Sequence, residues 1–267
     1  MFDRLHEILY SNKAIIEKRS ISWVLIVSLF FFSVVLIGAP FVTQGYRLEA
    51  KSIAPVFAPL ASSFNQALDE DCSIENNTLT CAFSEVKTFT AGDYTVYLNE
   101  KDDVTINQLN KYLMLTEHYV SAQIDNNTIV GTYNLANIGK LENLKQSGLS
   151  EDLVLADFLE NAHKGALPTR IPLIYALNLF QYFVYILVVA LVLRFVNGRQ
   201  FALNLSFKEA MAIAVMTMFS PALITAIIGL FNPSIATLAF PVIYMGRIVM
   251  VYWQIMKLQH SSSPSKV

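Results

Sequence analysis

Few residues in this chain are of a type that does chemistry, and they do not gather. Cys72 and Cys81 are the only two cysteines. Between them lies Ser-Ile-Glu-Asn-Asn-Thr-Leu-Thr, which reads as a β-hairpin turning at Asn76-Asn77. Asparagine tolerates the positive φ that a two-residue hairpin turn demands. Counting outward from the turn, Glu75 faces Thr78, Ile74 faces Leu79, Ser73 faces Thr80 and Cys72 faces Cys81. Narrow and wide pairs alternate along an antiparallel ladder, so the cysteines fall on a non-hydrogen-bonded pair, where Cα atoms come closest. That separation suits a disulfide. A structural Cys72–Cys81 bond is expected, which takes both thiols out of nucleophilic and zinc chemistry. The alternative is a pair of small buried thiols.

The remaining candidates are isolated. His6, His118, His163 and His260 stand far apart and form no metal-ligand spacing. The chain has no Gly-x-Ser-x-Gly elbow, no phosphate-cradling glycine loop and no His-Glu-x-x-His. Carboxylates cluster at Asp69-Glu70-Asp71 and at Glu100, Asp102 and Asp103, without the spacing of a calcium-binding EF-hand loop, and read as solvated loops. Asn76 and Asn126 each open an Asn-x-Thr sequence, which their place in hairpin turns accounts for. The expectation is a protein that is not an enzyme and that needs no metal or cofactor. Arg247 is the one charge well inside an apolar stretch, and such a charge is a functional candidate. Glu209, at the near end of a neighbouring stretch, is its candidate intramembrane partner. The pair reads either as structural or as part of a ligand or solute pathway. Asn178, Gln181, Thr217 and Ser220 read as interhelical hydrogen-bonding groups.

These residues must be held by elements suited to a bilayer. The chain has 267 residues, 54% hydrophobic and 15% charged, where soluble domains are nearer a quarter charged. The apolar residues fall in one block near the N-terminus and in a long C-terminal stretch. Four spans are expected: Ile21 to Val42, Pro172 to Phe195, Glu209 to Phe231 and Ile235 to Met256. About 20 helical residues cover a hydrocarbon core of about 30 Å. Pro172 suits a first helical turn. Asn232-Pro233-Ser234 makes a tight turn between the last two spans. A cleavable signal peptide is the alternative for the first span, but its apolar run is long for one and no small-x-small site follows.

Lys and Arg set the orientation. Arg4, Lys13, Lys18 and Arg19 precede span one, Arg194, Arg199 and Lys208 lie between spans two and three, and Lys257 and Lys266 follow span four. All fall on one side, so both termini are expected in the cytoplasm and residues 43–170 outside. Residues 43–170 carry a net −8 and the rest a net +6. That division provides no basic patch for nucleic acid.

Residues 43–170 are expected to form an α+β domain inserted between spans one and two. Ile53, Val56, Phe57, Leu60, Phe64 and Leu68 make one face of a helix. Gln123 to Val130 repeats Ser73 to Thr80, with its turn at Asn126-Asn127, Ile124 facing Ile129, and small residues, Ala122 and Gly131, where the cysteines stand. The repeat reads either as two degenerate strand–hairpin–helix units or as two independent hairpins. A strand is expected at 95–98, and helices at 105–116 and 150–163, the latter with Ser150 as N-cap and Gly165 as stop. The division is then 1–20 cytoplasmic segment, 21–42 first span, 43–170 domain, 171–256 spans two to four, and 257–267 cytoplasmic tail.

The segment Leu205-Ser-Phe-Lys-Glu-Ala210 leading to Met218-Phe-Ser-Pro221, with the phrases Ile74 to Leu79 and Ile124 to Ile129, resembles a bacterial membrane family of unknown function. That family includes the maltodextrin-utilisation protein MalA of Gram-positive bacteria, and its membrane part is distantly like the Yip family. The resemblance covers nearly the whole chain through short motifs. It implies a bacterial cell-membrane protein associated with sugar utilisation, and it carries no catalytic residues. The expected function is an accessory or sensing component whose exported domain binds a partner or ligand, with the lipid bilayer and a transporter or other membrane protein as partners. A small permease or transporter component is the alternative. A reporter fused at residue 100 is expected to be active only if it functions outside the cytoplasm; cytoplasmic activity there would overturn the orientation.

Overall fold

Among the described residues, four helices are long and apolar enough to cross a bilayer: Trp23–Tyr46, Glu151–Phe195, Phe207–Phe231 and Ile235–Lys257. A small β-sheet region lies between the first and second of them. The computed structural model describes residues 2–100, 111–133, 138–145, 148–200 and 205–262. Two compact units result, one of Met1–Gln44 with Ile171–Val267 and one of Gly45–Arg170.

The first unit holds α1 (Phe2–Tyr10), α2 (Asn12–Glu17), α3 (Trp23–Tyr46), the later part of α5 (Glu151–Gln200), α6 (Phe207–Phe231) and α7 (Pro233–Ser262). The most buried of these is α6, whose Ala210, Ala212, Ala214, Ala222 and Gly229 are inside. Small residues let helix backbones approach closely. Pro40 of α3 lies against Gly229, where an added Cβ would stand 2.2 Å from the proline Cγ. The Tyr175 ring likewise fills the space over Gly38, 2.4 Å from a Cβ there. Tyr244 of α7 is fully buried and donates to the Ala214 carbonyl of α6 at 3.2 Å. The N-terminal helices join this core: Ile8, Ile15 and Ile16 are buried in it, α1 packs on α6, and α2 packs on α6 and α7.

The second unit holds α4 (Ala50–Ala67) and two sheets. Ile53, Phe57, Leu60, Phe64 and Leu68 are buried, as the periodicity anticipates, while Pro55 and Pro59 sit on the exposed side of α4. There the carbonyls freed by a proline can reach water. Glu160 of α5 accepts from the Ala50 backbone N–H and supplies a carboxylate at the positive end of α4. Phe64 and Phe158 rings meet at 5.2 Å.

The smaller sheet orders β2 (Thr78–Cys81), β1 (Cys72–Glu75) and β8 (Gly139–Lys140). Its hairpin has the anticipated register, Cys72↔Cys81 through Glu75↔Thr78, with Asn76 and Asn77 at φ 51° and 65°. The two sulfurs are at bonding distance and the Cα atoms are 4.0 Å apart. The larger sheet orders β3 (Lys87–Ala91), β4 (Tyr94–Glu100), β5 (Lys111–Thr116), β6 (Tyr119–Ile124) and β7 (Asn127–Thr132). Only its β4–β5 pair is parallel. On β7, an added Cβ at Gly131 would meet the Ala162 backbone of α5 at 2.3 Å, so the helix crosses the strand there with no room for a side chain.

Three expectations fail, and the structure decides between the two readings of the repeat. The second hairpin turns at Asp125-Asn126, with Asp125 at φ 50°, and pairs Ile124 with Asn127 and Ala122 with Ile129. Aspartate tolerates this conformation as asparagine does, so Asp-Asn and Asn-Asn are competing turn pairs. The shift preserves which face each residue takes, and Val120, Ala122, Ile124, Ile129 and Gly131 are all buried. The two hairpins belong to different sheets, so they are not two copies of one folded unit. Residues 111–116 form the central strand β5, not a helix, with Tyr112 to Thr116 buried throughout; a strand covered on both faces loses the alternation that marks strands. Residues 105–110 of that expected helix lie outside the described residues, as do Asp102 and Asp103. Finally, α5 does not stop at Gly165 or restart at Pro172 but runs unbroken from Glu151 to Gln200. A glycine inside a helix costs only about 1 kcal/mol, and prolines are tolerated where neighbouring groups satisfy the freed carbonyls. The Ser150 carbonyl accepts from Val154 and so opens the helix.

The disulfide closes a nine-residue separation. Replacing both cysteines by serine in the full-length protein is expected to destabilise the sheet unit by about 2–3 kcal/mol, seen as an earlier midpoint in pulse proteolysis. An unchanged midpoint would show that the hairpin holds without the bond.

Candidate functional site

Arg247 is 6% exposed and lies on α7 beneath α1. Its Nη2 donates to the Ile8 carbonyl and, at 3.1 Å, to the Leu9 carbonyl, and its Nε to Asn12 Oδ1 at 3.4 Å. Those carbonyls belong to the last turn of α1, where backbone acceptors have no partner in the helix and the helix dipole is negative. Arg247 therefore caps α1 from another helix. Its Nη1 is buried without a partner among the described residues.

Glu209 is not its partner. Glu209 Oε2 accepts from the Ser206 backbone N–H at 2.9 Å while Ser206 Oγ accepts from the Glu209 N–H at 3.3 Å, a capping box at the start of α6. Its other oxygen, Oε1, takes the Arg19 Nε at 3.0 Å. The expected intramembrane pair thus resolves into two separate attachments of the N-terminal segment, Arg247 to α1 and Glu209 to Arg19. Nearby, a hydrogen bond from Lys18 and its charge hold the Glu7 carboxyl below the ordinary carboxylate range. The sequence reading gave the first twenty residues no structure. A usable signal was present in Leu5, Ile8 and Leu9, spaced for one helical face, but a single short face says little about what covers it.

In the second unit the acidic run is neutralised rather than open. Asp69 meets Lys145 at 2.5 Å, Asp71 meets Lys140 at 3.5 Å, and Glu70 pairs with Lys87. Among the described residues, no group of three or more His, Cys, Asp or Glu could hold a metal ion. These ion pairs are largely exposed and contribute little to stability.

In the helical unit a cavity of about 380 Å³ lies between α3, α5, α6 and α7. It gathers Asn178, Gln181, Tyr182 and Tyr185 of α5, Thr225 of α6 and Thr237 of α7 against Phe41, Phe240 and other apolar side chains. None of its lining residues is charged. Tyr182 is held edge-on to Phe240 at 5.1 Å and Tyr185 lies 5.5 Å from Tyr244. Asn178 and Gln181 therefore line an open space, where an interhelical bond was expected. Thr217 bonds the Ile213 carbonyl of its own helix at 2.7 Å. The Thr225 hydroxyl is buried with no partner among the described residues, a state that costs on the order of 1–3 kcal/mol.

Arg247→Leu is expected to leave the Ile8 and Leu9 carbonyls unpaired and to destabilise the detergent-solubilised protein by roughly 2–3 kcal/mol. The same variant should raise protease cleavage within the first twenty residues. Arg247→Leu with unchanged cleavage and unchanged melting would remove the capping role. Compared with known proteins, the chain matches no family model, and no curated protein and no solved structure matches it.

Proposed function

We propose that this chain is a non-enzymatic multi-pass protein of a bacterial cell membrane, with both termini in the cytoplasm and residues 43–170 outside. In this reading it is an accessory or sensing component: the outer α+β domain binds a partner or ligand, and the spans anchor it or dock to a transporter. The link to sugar or maltodextrin utilisation rests on the resemblance of Leu205 to Ala210, Met218 to Pro221 and the two Asn-Asn phrases alone.

The observation that carries the choice over a permease is the employment of Arg247. The one charge well inside a span is occupied in capping α1 rather than free to meet a moving solute. The Cys72–Cys81 bond supports the outside assignment, since disulfides persist in oxidising compartments. The permease reading keeps one point in its favour, the cavity lined by amide and hydroxyl side chains within the spans.

Crosslinking in native membranes followed by purification is expected to bring down a membrane protein partner, and proteoliposomes of the chain alone are expected to show no sugar uptake. Uptake by the chain alone that is lost in Asn178→Leu would favour the permease.

A further inference from the structure

Hydroxyl groups in an apolar span ordinarily bond to their own helix. Ser33 donates to the Leu29 carbonyl at 2.8 Å and Thr217 to the Ile213 carbonyl at 2.7 Å. Thr225 is as deeply buried, 1% exposed, yet its Oγ1 meets no partner among the described residues. It borders the cavity between α3, α5, α6 and α7, where Asn178, Gln181, Tyr182 and Tyr185 also converge. Those groups offer both donors and acceptors. The rest of the wall is apolar, including Phe41 and Phe240, and no lining residue is charged.

We infer that this cavity binds an uncharged amphiphile whose hydroxyl-bearing head takes the hydrogen bond of Thr225 and whose first methylenes lie along the apolar wall. The chemistry of the lining selects the ligand. A charged head would lose its hydration with nothing of opposite sign to compensate it. A free polyol would set its outward hydroxyls against phenylalanine and valine, leaving them unpaired. A neutral head on a short apolar stem satisfies both kinds of wall at once, which is the usual composition of a ligand site: mostly apolar, with a few placed polar groups. Monoacylglycerols and alkyl glycosides have this form. The inference is independent of the partner proposed for residues 43–170, because every residue it uses lies in the membrane unit.

The test uses the full chain in phosphatidylcholine nanodiscs, with labelled monooleoylglycerol as the probe and empty nanodiscs as the baseline. Saturable binding above that baseline is expected. Thr225→Val keeps the side-chain shape and removes the hydroxyl; it should weaken binding roughly fivefold to tenfold, the worth of one net hydrogen bond. Thr217→Val, on the same helix but bonded to its own backbone, should stay within about twofold, since it removes no group that faces the ligand. Unlabelled glycerol should not compete at matched concentration, and oleate, with the same chain and a charged head, should compete poorly. Binding equal in Thr225→Val and in the unaltered protein would mean that water alone satisfies the hydroxyl, and would overturn the inference. Equal competition by glycerol or by oleate would overturn the amphiphile or the neutral head, respectively. If Thr225→Val does not reconstitute, Asn178→Leu tests the same wall, and unchanged binding there counts equally against the site.

Discussion

In the packed interior of the helical unit a polar group out of reach of water needs a partner in the protein. Much of the arrangement follows from that constraint. The end of α1 lies against α7, where its last carbonyls need a donor; the guanidinium of Arg247 supplies it. The first N–H groups of α6 need acceptors, and Ser206 provides one while the Glu209 carboxylate reaches back to the cap and outward to Arg19. Ser33 and Thr217 turn onto carbonyls of their own helices. Tyr244 spans from one helix to another to spend its hydroxyl on Ala214. Among the described residues of this unit, the same accounting does not close at Thr225 Oγ1 or at Arg247 Nη1.

What could be read from residues alone depended on whether a local rule had competitors. The Cys72–Cys81 hairpin was legible to the residue because Asn76-Asn77 is flanked by Glu75 and Thr78, which make poorer turn pairs. At 125–127 three residues in succession accept positive φ, so two turns are nearly equivalent and local chemistry does not choose. Strand β5 was misread because Tyr112 to Thr116 are covered on both faces, which erases period-two alternation. The four apolar helices were legible because length and hydropathy have no local competitor. Their detailed contacts were not, since Pro40 against Gly229 and Tyr175 against Gly38 depend on which helix faces which. For the same reason Glu209 is assigned from sequence to Arg247, both being expected toward the cytoplasmic side, whereas Arg19, in a segment given no structure, is the residue that meets Glu209.

In the sheet unit the equivalent of a polar constraint is a steric one. Gly131 of β7 lies under Ala162 of α5 so closely that a methyl group could not fit. The small residue that marked the sequence repeat is therefore explained by a helix crossing, not by kinship with the cysteine hairpin. Its counterpart Ala122 is buried opposite Ile129. Similar letters at similar spacing serve two different packing problems.

The strand order also bears on how the chain must come together as it is made. The cysteine hairpin can close as soon as its own ten residues have emerged, on the microsecond scale typical of hairpins. Its sheet cannot be finished then, because β1 takes its second neighbour from Gly139 and Lys140, with the whole of the larger sheet lying between in sequence. The parallel β4–β5 pair likewise needs a crossover before it can form. Nucleation is therefore early and completion late, and the open edge of β1 has to wait through the synthesis of the residues from Ala82 to Lys140. A covalent tie that keeps the hairpin closed through that interval preserves the template on which the last strand assembles, a benefit in time rather than in final stability.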